Sequence, residues 1–175
     1  MIDDFLFAPT RQDNMTLKAG DKIPDVTLTI MGKNGPEQIK AKDYFAGKKI
    51  ALFAVPGAYT PTCHVKHLPG FLSQLDLIKS KGVSAVAVTA VNDIFTLDAW
   101  LKDSGAKEKI DGLADGSAVF AKAAGLELDL TEHGLGIRSK RYAAIIKDGM
   151  IDWINIEENS SVATVSSAEA TLEKL

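Results

Sequence analysis

The sequence contains a single cysteine, Cys63, among its 175 residues. One cysteine excludes a disulfide within the chain, and it also excludes the Cys-x-x-Cys pair of a disulfide reductase, because position 60 is a threonine. A chain that needs no disulfide suits a reducing compartment, so we expect a cytoplasmic protein. The thiol itself has two interpretations: it is a small buried apolar group or a reactive nucleophile.

Long apolar runs and an excess of positive charge are also missing. No segment approaches the roughly 18 uninterrupted apolar residues of a membrane span. A net charge of −3 and an isoelectric point of about 5.6 do not favour binding to nucleic acid or to an anionic membrane. Residues 1–14 are acidic rather than basic, unlike a targeting signal. We expect them to form a loosely ordered extension before a single domain, residues 15–175.

The cysteine lies in the segment of residues 55–71, VPGAYTPTCHVKHLPGF. An apolar run at residues 49–55 predicts a buried strand, and helical spacing follows the segment, so Cys63 is expected on the first turn of a helix. Helix N-termini favour negative charge, and cysteines in such places have pKa values below the usual value of about 8.5. A merely buried thiol does not need Pro56, Gly57, Thr60 and Pro61 around it. The pattern therefore favours a thiolate nucleophile.

The spacing Pro56-x-x-x-Thr60-x-x-Cys63 resembles the active-site signature of the peroxiredoxins. Together with the segment KHLPGF at residues 66–71 it is most similar to the peroxiredoxin V subfamily, which includes the plant type II enzymes. The resemblance runs from about Ala19 to the C-terminus. It implies a thiol-dependent peroxidase that reduces hydrogen peroxide and organic hydroperoxides through a sulfenic acid on the cysteine, without a cofactor.

The resemblance also implies the other site residues. An arginine from a distant strand should stabilise the thiolate and hydrogen-bond the peroxide, and we assign this role to Arg141, which enters an apolar strand. Arg138 is the rival, and its alternative interpretation is a solvated surface arginine. The hydroxyl of Thr60 can both accept and donate a hydrogen bond at the peroxide, and Pro56 should shield the sulfur from water.

Cysteine content also predicts how the enzyme is recycled. Some subfamily members carry a resolving cysteine near the C-terminus, but residues 160–167 contain none. We therefore expect a one-cysteine mechanism that uses an external thiol reductant, namely glutathione, glutaredoxin or thioredoxin. The resemblance implies a noncovalent homodimer, with Tyr59 and Pro61 at or near the contact.

Two other functions are compatible with parts of the pattern. Cys63, His67 and His133 could ligate a metal, although three ligands fall short of a four-ligand pattern. A non-enzymatic thioredoxin-like module for redox sensing or binding would share the fold and the thiolate, but it would not need Thr60 together with Arg141. Peroxide turnover with a thiol donor separates the second hypothesis from an enzyme.

The order of apolar segments predicts an α/β protein. An N-terminal β-hairpin is followed by strands and helices in alternation and by a second hairpin with an Asp-Gly turn, which indicates a mixed central sheet with helices on both faces. This agrees with the thioredoxin-like fold that the resemblance implies. A kink is expected at Pro69 and Gly70 in a helix over residues 62–81, and residues 126–140 are expected to form a surface loop near the site.

Overall fold

The computed structural model describes residues 16–175, so the extension predicted for residues 1–14 lies outside the described residues. Within the described part of the chain, no helix is long and apolar enough to cross a membrane. The strands are β1 Thr27–Gly32, β2 Gly35–Lys40, β3 Lys49–Val55, β4 Ala85–Ala90, β5 Asp111–Ala114, β6 Glu127–Leu130, β7 Gly136–Ser139, β8 Tyr142–Lys147 and β9 Met150–Ile156. The helices are α1 Ala41–Phe45, α2 Leu68–Ser73, α3 Leu75–Ser80, α4 Ile94–Asp103, α5 Val119–Ala123 and α6 Ala168–Leu172, and a π-helical turn, Cys63–His67, precedes α2.

Seven strands form one mixed sheet in the order β2-β1-β5-β4-β3-β8-β9. Strands β3, β4 and β5 are parallel, whereas β8 runs antiparallel to β3 and places Tyr142 opposite Ala54. This register places Arg141, the residue before β8, next to the carboxyl end of β3. The segment that carries the cysteine begins at the same end.

The two faces of the sheet carry separate hydrophobic clusters because strand residues alternate between them. From β3, Ala51, Phe53 and Val55 face a cluster that includes α2, α3, α4 and α6, whereas Ile50 and Leu52 face a cluster that includes α1 and α5. The prediction of a mixed sheet with helices on both faces and an N-terminal hairpin is therefore confirmed.

Residues 126–140 were expected to form a loop, and this prediction is wrong. They form a separate two-stranded antiparallel sheet, β6 and β7, joined by a 3-10 turn at Thr131–His133. The alternation Glu-Leu-Asp-Leu at residues 127–130 is the strand signal, but each strand has only four residues. Gly134 and Gly136 have positive φ and permit the tight return between the strands.

The helix expected over residues 62–81 is divided differently from the prediction. The π-helical turn Cys63–His67 interrupts a helix that begins at Pro61, and α2 follows it at Leu68 with Pro69 in its first turn. A second break separates α2 from α3 at Gln74. The irregular part of this helix is thus the turn that begins with the cysteine. Such π-helical turns are frequent at functional sites.

Candidate active site

Cys63 follows strand β3 and begins the π-helical turn, as the sequence predicts for a helix that starts after a buried strand. Its side chain is fully buried against the sheet. The connecting loop is fixed at several points, one of which is a hydrogen bond from the Ala58 amide to the Asn92 side chain at the end of β4 (2.9 Å). The loop that carries the sulfur is therefore held against the carboxyl ends of the central strands β3 and β4.

Thr60 contacts the sulfur from the loop side. Its Oγ1 lies 2.9 Å from Cys63 Sγ and 2.6 Å from the carbonyl oxygen of Gly57. A hydroxyl has one proton and two lone pairs, so this group can donate to the carbonyl or to a thiolate and still accept from another donor. A Cβ added at Gly57 would lie 3.1 Å from the Thr60 methyl, which explains why a glycine suits that position.

Arg141 contacts the sulfur from the opposite side. Its Nη2 donates to Cys63 Sγ at 3.0 Å and its Nε donates to the Ser160 carbonyl at 3.1 Å. The guanidinium is buried, with 1% of the residue exposed. Among residues 16–175 no carboxylate lies within salt-bridge distance of it. A buried charge needs a compensating partner, and the sulfur as a thiolate is the anion that this arrangement can provide.

Arg138, the rival for this position, lies elsewhere and is half-buried instead of solvated. Its Nε donates to the Leu135 carbonyl at 2.7 Å and its Nη1 to the Val91 carbonyl at 3.2 Å. Its guanidinium also packs close to Gly57. Arg138 thus joins strand β7 to the end of β4 beneath the cysteine loop and does not contact the sulfur.

His67 is a site residue whose contacts the sequence did not predict. Its Nδ1 lies 2.8 Å from Arg141 Nη1 and its Nε2 lies 2.8 Å from the carbonyl oxygen of Ser166. Burial is the largest cause that lowers the pKa of His67 from 6.5 to about 3, and the positive charge of Arg141 is the second. The imidazole is therefore neutral at physiological pH. The spacing of four residues from Cys63 signals a shared helix face, but not the partners across it.

The loop between β9 and α6, residues 157–167, closes the site from behind. Besides the contacts of Ser160 and Ser166, the Ser161 carbonyl accepts a hydrogen bond from the Thr62 hydroxyl at 2.6 Å. Glu157 is buried, and its Oε1 accepts from the amides of Thr164 (2.6 Å) and Ser166 (2.9 Å). The loop is thus tied both to the sheet and to the cysteine helix.

A groove of about 610 Å³ opens onto the site. It is bordered by Pro56, Thr60 and Arg141 on one side and by apolar residues of the β6–β7 hairpin on the other, namely Leu128, Leu130 and Leu135. Pro56 is buried at the base of the loop and borders the groove. The segment expected near the site is therefore near it, although as a hairpin.

The alternative metal site does not assemble. Within residues 16–175 no group of three His, Cys, Asp or Glu side chains could hold a metal ion. Both nitrogens of His67 already have partners, and His133 is exposed on the hairpin. His64, one turn from His67, is exposed and accepts a hydrogen bond from Trp100 Nε1 at 3.1 Å. Fold and site together define a thioredoxin-like protein whose one thiol is paired with a buried arginine.

Comparisons with known proteins agree with this class. The model of the Redoxin family matches residues 18–172. The chain is 43% identical over 164 residues to the chloroplastic peroxiredoxin-2E of Arabidopsis thaliana, covering 91% of this chain and 70% of that protein. It is 43% identical over 157 residues to peroxiredoxin-2C of Oryza sativa subsp. japonica, covering 89% and 96%. The crystal structure of reduced Prx3 from Vibrio vulnificus in complex with hydrogen peroxide matches with a TM-score of 0.87 at 44% identity, covering 91% of this chain and 99% of that one.

The chain therefore belongs to the redoxin family and, within it, to the peroxiredoxins, which are thiol-dependent peroxidases. The family and the fold expected from the sequence are confirmed. A non-enzymatic redox-sensing module is not favoured, because the similar proteins are peroxiredoxins and because Thr60 and Arg141 both contact the sulfur.

Proposed function

We propose that Cys63 is the nucleophile that attacks the peroxide and that Arg141, Thr60 and Pro56 form its catalytic environment. The observation that carries this proposal is the buried guanidinium whose Nη2 lies 3.0 Å from the sulfur. A fixed cationic donor favours the thiolate over the thiol, because it stabilises only the charged form. The same donor can stabilise negative charge that develops on the departing oxygen.

The reaction transfers one oxygen atom. The thiolate sulfur attacks one peroxide oxygen, an S–O bond forms, the O–O bond breaks, and the second oxygen leaves as hydroxide or alkoxide and takes up a proton. Forming the thiolate is only part of the gain, because a thiolate that is stabilised more strongly is also a weaker nucleophile. The remainder must come from alignment of the two oxygens and from binding of the leaving oxygen by Arg141 and Thr60.

The substrates that we propose are hydrogen peroxide and organic hydroperoxides. The similar Prx3 of Vibrio vulnificus was crystallised with hydrogen peroxide, which supports the smaller substrate. The leucines that border the groove, Leu128, Leu130 and Leu135, offer apolar surface to the alkyl part of a larger hydroperoxide.

The oxidised cysteine needs an external thiol, because the sequence has no second cysteine. We propose that a thiol of glutathione, glutaredoxin or thioredoxin condenses with the sulfenic acid, forming a mixed disulfide and water. A second thiol then reduces this disulfide and regenerates the Cys63 thiol. Further peroxide, in the absence of thiol, oxidises the sulfenic acid to the sulfinic and sulfonic acids.

We also propose a noncovalent homodimer and a cytoplasmic location. The exposed side chains of Tyr59 and Val65, beside the cysteine, support a contact at this surface. Sedimentation of the purified chain tests the dimer, with a monomer as the contrary result. Fractionation of cells that produce the full chain tests the location, with recovery in an organelle as the contrary result.

Steady-state removal of peroxide tests the function. Wild-type protein with glutathione and glutaredoxin, or with thioredoxin and its reductase, should consume peroxide, and Cys63→Ser should not, because serine lacks an accessible anion at neutral pH. Stoichiometric peroxide followed by glutathione should give a mixed disulfide at Cys63 by intact mass spectrometry. A wild-type chain that forms this adduct but does not turn over with any donor would support the redox-sensing alternative.

A further inference from the structure

The imidazole of His67 lies directly behind the guanidinium that contacts the sulfur. Arg141 uses Nη2 for Cys63 and Nη1 for His67, so the two contacts share one planar group. Because arginine can only donate, Nδ1 of His67 must accept. Nε2 then carries the proton of the neutral ring and donates it to the Ser166 carbonyl. Both contacts are 2.8 Å long, which fixes the plane of the ring.

Packing alone does not require a histidine at this position. The ring of His67 packs beside Phe53 and Phe71, which stack on each other, at centroid distances of 5.0 and 5.6 Å, in an otherwise apolar cluster. An apolar side chain of similar size would fill such a space at lower cost, because a buried polar group must be desolvated. The polar atoms of the ring are therefore used for their hydrogen bonds, and one of these goes to the arginine of the site.

The acceptor of His67 is itself held by a buried carboxyl group. Ser166 is fully buried, and Glu157 Oε1 accepts both its amide (2.9 Å) and its hydroxyl (2.9 Å). Glu157 follows β9, next to β8, and its own amide donates to the Arg141 carbonyl at 2.9 Å. A closed set of contacts thus links Glu157, Ser166, His67 and Arg141 to the sulfur.

We propose that His67 is a positioning residue of the peroxidase reaction: it fixes the guanidinium of Arg141 in the plane that directs Nη2 at Cys63 Sγ, and Glu157 fixes His67 through Ser166. The proposal rests on the proposed function of Arg141. A side chain with five donors and a flexible stem can adopt other orientations, and a neutral acceptor at Nη1 selects one without competing with the thiolate for the positive charge. A carboxylate in the same place would form the ion pair itself.

The test compares His67→Leu with His67→Asn. Leucine fills the space without polar atoms, whereas asparagine keeps an acceptor close to the position of Nδ1. We expect His67→Leu to lower the second-order rate constant of the reduced protein with hydrogen peroxide by about 10- to 100-fold, as for a misplaced catalytic group. In His67→Leu the pH profile for alkylation of Cys63 should also move to higher pH. His67→Asn should bring both the rate constant and the alkylation profile most of the way back to the wild-type values.

The matched control is His64→Gln, in the same turn of the chain, which keeps an acceptor for Trp100 and should leave both readouts at the wild-type values. If His67→Leu does not fold, His67→Phe takes its place as the apolar variant. A folded apolar variant with the wild-type rate constant and alkylation profile would overturn the proposal while leaving the peroxidase function intact. Wild-type protein that does not react with peroxide would instead refute the proposed function.

A double-mutant cycle tests the contribution of Glu157. Glu157→Ala should lower the rate constant in the same direction as His67→Leu, and the double variant should be no slower than His67→Leu alone, within about 2-fold, because the two residues act through one contact. If the two losses multiply, Glu157 does not act through His67, and that part of the proposal is wrong.

Discussion

Acidification from about pH 7 to about pH 5 is expected to destabilise the folded protein by about 2 kcal/mol through His67. The perturbation needs no mutation, because the ring is neutral and buried in the native state and solvated in the unfolded state. Burial, followed by the adjacent charge of Arg141, lowers the pKa of His67 from 6.5 to about 3, and the hydrogen bond with Ser166 opposes this shift only in part.

The sign follows from which state binds the proton. Between the unfolded pKa of 6.5 and the folded pKa of about 3, the unfolded chain is protonated at His67 and the folded chain is not. The contribution of His67 to stability is therefore fully present above its unfolded pKa and is lost as the pH falls from that value toward the folded pKa. A pH of about 5 lies roughly 1.5 units below the unfolded pKa, so proton binding by His67 stabilises the unfolded state by about 2 kcal/mol at that pH.

Urea unfolding at a series of pH values measures this loss, with His67→Leu as the reference. Other groups also contribute to the pH dependence of stability, among them Asp115, whose pKa is raised by burial and whose contribution has the opposite sign. Such groups are present in both proteins, so the difference between wild type and His67→Leu isolates the histidine.

The free energy of unfolding of the wild type, minus that of His67→Leu, is expected to fall by about 2 kcal/mol between about pH 7 and about pH 5. A difference that does not change with pH would mean that His67 titrates alike in the folded and unfolded states. The neutral, accepting imidazole would then be wrong, and with it the contact that we infer between His67 and Arg141.

Further predictions concern the groups around the sulfur. Arg141→Lys and Thr60→Val should each lower the second-order rate constant with hydrogen peroxide by about 10- to 1000-fold in stopped-flow measurements. Lysine keeps the positive charge but lacks the planar guanidinium with its fixed N–H donors, and valine lacks the hydroxyl. The rate constant of Arg138→Lys should stay within about 3-fold of the wild-type value. Its free energy of unfolding should fall by about 1 kcal/mol, because a single ammonium nitrogen cannot take the place of both guanidinium nitrogens that donate to the Leu135 and Val91 carbonyls. A rate loss as large as that of Arg141→Lys would refute our assignment. Asp93→Ala should cost about 1 kcal/mol of stability by removing the N-cap of α4 at Thr96, with peroxide kinetics unchanged.

Local sequence patterns predicted the part of the site that is local in sequence. The run of apolar residues in β3 and the turn chemistry after it placed Cys63 at a helix start, and Thr60 stands three residues away on the same loop. Asp148 and Gly149 likewise have the positive φ angles that the Asp-Gly turn between β8 and β9 requires. These features depend on neighbours along the chain.

The rest of the site depends on contacts between distant residues. Arg141 is 78 residues from Cys63, and only the family resemblance predicts it at the sulfur, because the pairing of β8 with β3 that brings it there is not encoded in a local pattern. His67 is 99 residues from its acceptor Ser166, so no periodicity could reveal that it supports the arginine. The β6–β7 hairpin was missed for a local reason: four-residue strands beside glycines give too short an alternation to distinguish from a loop.

The most direct test of the central claim is a single turnover followed by mass spectrometry. Reduced protein is mixed with one equivalent of hydrogen peroxide in the presence of a sulfenic-acid reagent, and the modified peptide is sequenced. We predict one adduct, on Cys63, in the wild type, and neither adduct nor peroxide consumption in Cys63→Ser. Consumption of peroxide by Cys63→Ser at the wild-type rate, or oxidation of the wild type at a methionine with Cys63 unmodified, would contradict the claim that this thiol is the peroxidatic group.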